Sequence, residues 1–141
     1  MKKFWKSTEQ QKNELKQTQA YLDSGNAFVY DNRKLAIQYH EKSLEIARKR
    51  GYKLQETQAY EGLGYAYKFD HQNQTAIKHY EKSLKIAKEQ GYKSEETKAF
   101  LRLGDAYKFN NQNQTAIQHF EKGLEIAREQ GYKLQETQAY I

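Results

Sequence analysis

The sequence predicts an all-α fold, a solenoid of stacked antiparallel helix pairs, and three features support this prediction. Residues 51–90 and 91–130 are copies of one unit, identical at 26 of 40 positions. Each copy holds two segments whose apolar side chains recur at helical spacing, and the chain contains no proline that would interrupt a helix. Because a unit of this length cannot bury its apolar face alone, the copies must stack on one another.

The repeat divides the chain into five segments. We predict an N-terminal leader or cap at 1–11, repeat units at 12–50, 51–90 and 91–130, and the start of a fourth unit at 131–141. The first unit is one residue shorter, since its first half aligns with the second unit at an offset of 39 and its second half at 40. A tolerated deletion predicts a turn between the two halves.

Each half of a unit predicts one helix. In the second unit the two apolar stripes are formed by Tyr60, Leu63, Gly64 and Tyr67, and by Ala76, Ile77, Tyr80, Leu84 and Ala87. Asp70, His71, Gln72 and Asn73 supply a polar turn between them, and Asn111 replaces His71 in the next unit. Asparagine tolerates the left-handed conformation that such turns often need.

A glycine followed by tyrosine predicts the end of each second helix. Gly51, Gly91 and Gly131 stand at this position, where a positive φ would let the next side chain pack back on the last turn. The connections are then only a few residues long, so successive helices must run antiparallel.

These motifs resemble the tetratricopeptide repeat. LGYAYKFDHQNQTAIKHYEKSLKIA and LGDAYKFNNQNQTAIQHFEKGLEIA carry the family's leucine, glycine and aromatic on the first helix, then its alanine, aromatic and small residue on the second. The resemblance covers residues 12–141 and implies a right-handed superhelix whose concave groove binds a segment of a partner protein. The period of 40 departs from the usual pattern and resembles the longer repeats of Pins-type polarity adaptors. The family's usual proline is also missing, which is consistent with a longer second helix that ends at a glycine.

Differences between the two best copies indicate the recognition surface. On the first helix, the pairs 58/98, 61/101, 62/102 and 65/105 differ and share one helical face, while the packing stripe beside them is nearly constant. Drift of exposed positions after duplication is the alternative explanation. We predict that the groove is lined by Gln19, Leu22, Asn26, Gln58, Glu61, Tyr65, Lys68, Lys98, Leu101, Arg102, Asp105 and Lys108.

Two cations on this face point to an acidic partner. Lys98 and Arg102 are four residues apart, and like charges at this spacing repel. The resemblance implies a carboxylate clamp, which Asn26, Lys98 and Arg102 match, whereas Leu22 and Gly62 depart from it. The alternative is that Arg102 pairs with Asp105 and Lys98 with Glu95 at i, i+3.

An aromatic series, Tyr30, Phe69 and Phe109, lies beside Lys68 and Lys108. Such a pattern could stack bases of single-stranded nucleic acid. Covering the turn, or anchoring apolar side chains of a peptide, is the commoner explanation. We therefore expect a protein partner and regard nucleic acid as the weaker alternative.

Composition and motifs exclude several other classes. The net charge is +6, but the 24 basic and 18 acidic side chains are interspersed, as on a solvated surface. Neither a signal peptide nor a membrane span is visible, and there is no cysteine, so we expect a cytoplasmic protein that does not bind membranes. No histidine pair has metal-ligand spacing, and phosphate loops and nucleophile elbows are missing. We expect no enzymatic activity, metal or cofactor.

The ends of the repeat array suggest a second function. The fourth unit stops soon after Tyr140, which stands at the core position of Tyr60, and no polar final cap is visible. Phe4 and Trp5 could cap the first unit or meet the uncapped end of another molecule. Either the chain is a piece of a longer array, or its uncapped end stacks on another molecule. A self-associating scaffold is therefore an alternative to a peptide receptor.

Overall fold

The computed structural model describes the backbone of residues 2–139 and the side chains of residues 8–131. Within this range it contains six helices and no strands: α1 Lys2–Phe28, α2 Arg33–Arg50, α3 Lys53–Phe69, α4 Asn73–Gln90, α5 Lys93–Phe109 and α6 Asn113–Ala139. Each helix packs on the next, and α3 also contacts both α1 and α5. This order confirms the predicted all-α solenoid, with α1 and α2, α3 and α4, and α5 and α6 as its three pairs.

The first helix begins earlier than the first repeat unit. α1 runs without a break from Lys2 through the predicted leader at 1–11, so the leader lengthens the first helix of the array. The predicted roles of Phe4 and Trp5, and of Tyr140 at the other end, lie outside the described side chains.

The glycine stops are confirmed after α2 and α4. Gly51 and Gly91 both adopt φ of 74°, in the left-handed region that glycine enters without a steric penalty. The following amide then turns back to the helix, since Tyr52 N–H donates to Ala47 O at 2.9 Å and Tyr92 N–H donates to Ala87 O at 2.9 Å.

The predicted stop at Gly131 is wrong. α6 continues through this glycine to Ala139, although GYKLQETQAY begins at both Gly51 and Gly131. Gly51, by contrast, is followed by a separate 17-residue helix, which packs on the one before it. A local capping motif is only a weak preference, so the same decapeptide can end a helix in one place and continue a helix in another.

The turns inside the second and third units use the predicted left-handed residue. His71 has φ of 59° and Asn111 has φ of 61° at equivalent positions. The first unit reaches α2 differently, through the Asn32 side chain, which accepts from Leu35 N–H at 3.1 Å and caps the helix. The shortened segment of the first unit thus lies between its two helices, as predicted.

Each helix pair is held close by a ring lying on a glycine. A Cβ added at Gly64 would lie 2.5 Å from Cε1 of Tyr80, and one added at Gly104 would lie 2.7 Å from Cδ1 of Phe120. In the first unit the ring is the imidazole of His40, which would meet a Cβ at Gly25 at 2.5 Å. Only a residue without a side chain allows this approach, so the three glycines set the spacing within the pairs.

A buried serine adds a second fixed contact in two of the units. Ser43 Oγ donates to Thr18 O, and Ser83 Oγ donates to Thr57 O, each at 3.0 Å. Both serines are fully buried, so each hydroxyl satisfies its hydrogen bond inside the pair. The third unit has Gly123 at this position and lacks the hydroxyl.

We predict that Gly64→Ala destabilises the protein more than Gly104→Ala. Overpacking costs about 1–3 kcal/mol, whereas alanine in place of glycine returns about 1 kcal/mol of helix propensity. Tyr80 is fully buried and cannot move aside, while Phe120 is half-buried and can. Urea denaturation of both variants gives the comparison, and equal losses would show that the ring contact does not determine the spacing.

We also predict that His40 makes the protein less stable in acid. Burial lowers the pKa of His40 to about 4, whereas an exposed histidine titrates near 6.5. Between these values the unfolded chain binds the proton and the folded chain does not, so the free energy of unfolding falls as the pH falls, by about 3 kcal/mol in total.

The matched variant is His40→Phe, which places in the first unit the residue that the third unit carries at Phe120. Denaturation of both proteins at several pH values between 7 and 4 separates this effect from that of the carboxylates, which both proteins share. The variant should lose part of the acid sensitivity, and an identical pH dependence would contradict the prediction.

Candidate functional site

A cavity of about 270 Å³ opens on the surface formed by α1, α3 and α5, which we call the odd-helix face. Three successive units contribute to this first cavity, and its lining residues are Asn26, Val29, Tyr30, Glu61, Tyr65, Lys98 and Arg102. Because the units have diverged at these positions, each wall of the cavity presents different chemistry.

Arg102 is the most constrained charge in this cavity. Its guanidinium lies over the ring of Tyr65, with its carbon 4.2 Å from the ring centroid, and its Nε donates to Glu61 Oε1 at 2.9 Å. Burial acts to lower the pKa of Arg102, but the charge and hydrogen bond of Glu61 outweigh it and the pKa is raised. The side chain is therefore a fixed cation, held by stacking and by one carboxylate.

A cluster of three rings adjoins the arginine, and two of them, Tyr30 and Tyr65, line the cavity. The hydroxyls of Tyr30 and Tyr65 share a hydrogen bond of 2.7 Å, and Tyr65 meets Phe69 edge to face at 4.9 Å between centroids. Tyr30 also meets Phe69 at 5.3 Å, so each ring contacts the other two. The hydrogen bond with Tyr30, and then burial, raise the pKa of Tyr65, so its phenol is neutral at physiological pH.

The structure brings together a part of the predicted groove. Asn26, Glu61, Tyr65, Lys98 and Arg102 all line the first cavity. Gln58 lies in a narrow neighbouring cleft with Glu61 and Lys98, and Lys68 lines a separate cavity. Gln19, Asp105 and Lys108 are exposed, and Gln19 Nε2 donates to Asp23 Oδ1 on its own helix.

Three residues of the predicted recognition face serve packing. Leu22 is only 2% exposed and belongs to the core, so its assignment to the groove lining is corrected. Gly62 is buried, and a Cβ there would lie 2.5 Å from the His40 ring. Leu101 packs against α6, where a Cβ added at Gly123 would lie 2.9 Å from its Cδ2. Helical spacing alone could not separate these positions from the groove, because the groove and the packing interface are adjacent on the same helix.

Arg102 does not form the ion pair with Asp105 that the sequence analysis gave as an alternative. Asp105 lies three residues away on the same helix, yet the carboxylate that Arg102 contacts belongs to Glu61 on α3. The pair crosses from one repeat unit to the next. Sequence spacing reveals partners only within one helix, so this contact could not be predicted.

Val29 and Tyr30 were not predicted to line the groove. Val29 is buried beneath the cavity at 4% exposure, while Tyr30 is 68% exposed and reaches over to the next unit. The signal for Tyr30 was its equivalence to Phe69 and Phe109 in the repeat, but that pattern does not show which rings touch.

A second cavity of about 180 Å³ lies at the turn between α3 and α4. Its lining residues are Lys68, Phe69, His71, Asn73 and Phe109. Asn73 fixes this turn against α5, since its Nδ2 donates to Ala106 O at 2.9 Å and to Asn110 Oδ1 at 2.8 Å. The ring of Phe109 is 72% exposed, so the cavity is open to solvent.

Two further expectations concern metals and membranes. In the described part of the chain, no group of three or more His, Cys, Asp or Glu side chains could hold a metal ion. Among the described helices, none combines the length and the apolar character that crossing a membrane would require. His79 and His119 instead pack on Tyr67 and Tyr107, with centroids 5.2 and 5.1 Å apart.

Comparison with known families gives one match. The model of the tetratricopeptide repeat matches residues 18–89 and 55–129, which together span most of the chain. A comparison with curated protein sequences gives no match.

Solved structures with the same fold include three of interest. The TPR domain of Arabidopsis FLU is 20% identical with a TM-score of 0.74, over 82% of this chain and 98% of that one. Aspartyl phosphate phosphatase F from Bacillus subtilis is 16% identical with a TM-score of 0.79, over 91% of this chain but only 34% of that one. MamA is 25% identical with a TM-score of 0.66, over 82% of this chain and 61% of that one.

Proposed function

Because the chain belongs to the tetratricopeptide repeat family, we propose that it is a protein-interaction module that binds a peptide segment of a partner protein on its odd-helix face. The resemblance to Pins-type adaptors remains a prediction. The proposal concerns binding, and no catalytic step is part of it.

The observation that carries this proposal is the first cavity. It joins α1, α3 and α5, so an extended segment lying across it would touch three units at once. Tyrosine and arginine are the residues that most often dominate the energetics of protein interfaces. Tyr65 and Arg102 are stacked on each other here, so neither has to be ordered when a partner binds.

The charges of the cavity favour an acidic segment. Lys98 and Arg102 contribute two positive charges and Glu61 one negative charge, which leaves one positive charge. Arg102 is 31% exposed while it holds Glu61, so a carboxylate of the partner would share or replace that contact. The segment would therefore compete with a carboxylate of the protein itself.

The arrangement of the rings supports a peptide over single-stranded nucleic acid. Tyr30, Tyr65 and Phe69 meet at 72–88° between their planes, edge to face. Successive bases need parallel exposed faces for stacking. Side chains of a peptide can instead enter the spaces between tilted rings.

Self-association is the second candidate function, and an exposed apolar surface on α6 favours it. Ile117 is 53% exposed and Leu124 is 47% exposed, whereas Ile77 at the equivalent position is 6% exposed because α5 covers it. The surface of α6 around Ile117 is equivalent to the surface of α4 that α5 buries. Another helix could pack on it in the same way, and a second copy of the chain could supply that helix.

For the peptide function we predict that Tyr65→Ala and Arg102→Ala each weaken binding by about 2 kcal/mol, roughly 30-fold. The ligand is an acidic dodecapeptide selected from a random library on the wild-type protein and measured by calorimetry. Glu61→Gln should strengthen binding of the same peptide, because it frees the guanidinium.

Lys78→Ala is the matched control, since Lys78 is an exposed cation on α4. It should leave the affinity unchanged. Unaltered affinity in both Tyr65→Ala and Arg102→Ala, with thermal denaturation showing an intact fold, would reject the odd-helix face as the binding site.

For self-association we predict that the mass of the wild-type protein rises with concentration, and that Ile117→Glu prevents this rise by placing a charge in the apolar contact. Light scattering over a hundredfold concentration range measures both. A monomeric mass for the wild type at the highest concentration would exclude this candidate.

A further inference from the structure

The two spaces along the aromatic series Tyr30, Phe69 and Phe109 are filled differently. These residues are repeat equivalents, one from each unit. Between the first two, the ring of Tyr65 completes a cluster, with centroids 6.2 Å from Tyr30 and 4.9 Å from Phe69. The protein thus occupies that space with its own side chain.

Between Phe69 and Phe109 the third ring is missing. The counterpart of Tyr65 in the third unit is Asp105, whose short side chain is exposed. The second cavity, of about 180 Å³, lies between these two rings. The third unit therefore has no ring at the position from which Tyr65 contacts Tyr30 and Phe69, and Asp105 is not among the residues that line the cavity.

The size and chemistry of this cavity fit one aromatic side chain with a carboxylate nearby. A cavity of about 150 Å³ lined by apolar side chains is large enough to hold a benzene ring. Two phenylalanine rings form its walls, and its one formally charged lining residue is Lys68, with no acidic side chain among the five. The ring would pack against Phe69 and Phe109, and Lys68 would attract an acidic group beside it.

The cavity is also preformed and adjacent to the first cavity. The two hydrogen bonds of Asn73 to α5 hold the turn in place without a ligand. Phe69 forms its wall on one side, and on the other side Phe69 contacts Tyr65 of the first cavity. A single ring pair therefore separates the two cavities, and a few residues of extended chain could reach both.

We propose that the second cavity is a specificity pocket for an aromatic side chain of the bound peptide, adjacent to an acidic group that pairs with Lys68. This inference rests on the proposed peptide-binding function, and it adds the class of residue that the partner must present at the turn between α3 and α4.

The test uses a single amino acid, so that the pocket is examined apart from the groove. N-acetylphenylalanine supplies both the ring and the carboxylate and should bind with Kd of about 1 mM, as expected for a ligand of its size. Its amide should bind more weakly, and N-acetylglycine should not bind. NMR titration should move the ring signals of Phe69 and Phe109.

Two variants remove the pocket in opposite ways. Asp105→Tyr places a ring at the position equivalent to Tyr65, from which it should contact Phe69 and Phe109 and cover the cavity. Phe109→Ala removes a wall that is 72% exposed and contributes little to stability. Both should weaken binding at least tenfold. Leu15→Ala, which removes an exposed apolar side chain on α1 away from both cavities, should leave binding unchanged.

The outcomes separate this inference from the proposed function. Shifts confined to Tyr65 and residues near Arg102 would overturn the pocket while leaving the groove supported. Binding that survives Asp105→Tyr, no binding at all, or equal binding of N-acetylglycine would also overturn the pocket. The proposed peptide binding on the odd-helix face is tested separately, by measuring the affinity of the Tyr65→Ala and Arg102→Ala variants for the selected peptide.

Discussion

The contact between a glycine of one helix and a ring of the next is the constraint on which the rest of the fold depends. In all three units the ring lies where a Cβ would otherwise be, at Gly25, Gly64 and Gly104. The first ring, His40, also lies against Gly62 of the following unit, so one side chain determines two spacings. Tyr80 is completely buried by the same kind of packing. Stacking of the units therefore follows from the packing within each pair.

The glycine–ring contacts also determine which side chains fit at the candidate site. Gly62 leaves room for the His40 ring, whereas Arg102 stands at the equivalent position one unit later, where the ring is Tyr80. The guanidinium lies on Tyr65 and against Glu61 of the previous unit. The difference between Gly62 and Arg102, which the sequence analysis assigned to the recognition surface, therefore also reflects which ring packs next to each position. Residues of the candidate site and packing residues are neighbours because each repeat has only two helices.

The candidate site supplies its own counterion to Arg102. A desolvated arginine without a counterion would be unfavourable, and Glu61 supplies one from the neighbouring helix. The arrangement orients the cation, but any incoming carboxylate then competes with an internal one. Affinity for an acidic segment would therefore rely on additional apolar contacts, such as those of the tilted rings around Tyr30 and Phe69.

Repetition and periodicity were enough to predict the helix pairs, the left-handed turn at Asn111 and the caps at Gly51 and Gly91, because these features depend on local backbone preferences. They failed at Gly131, where the same decapeptide continues a helix, since reversal there requires packing that local preference cannot replace. Five of the predicted groove residues meet in one cavity. The burial of Leu22 and the pairing of Arg102 with Glu61 depend on which helices lie side by side. Residue spacing within one helix does not specify the neighbouring helix, so only the tertiary structure decided these contacts.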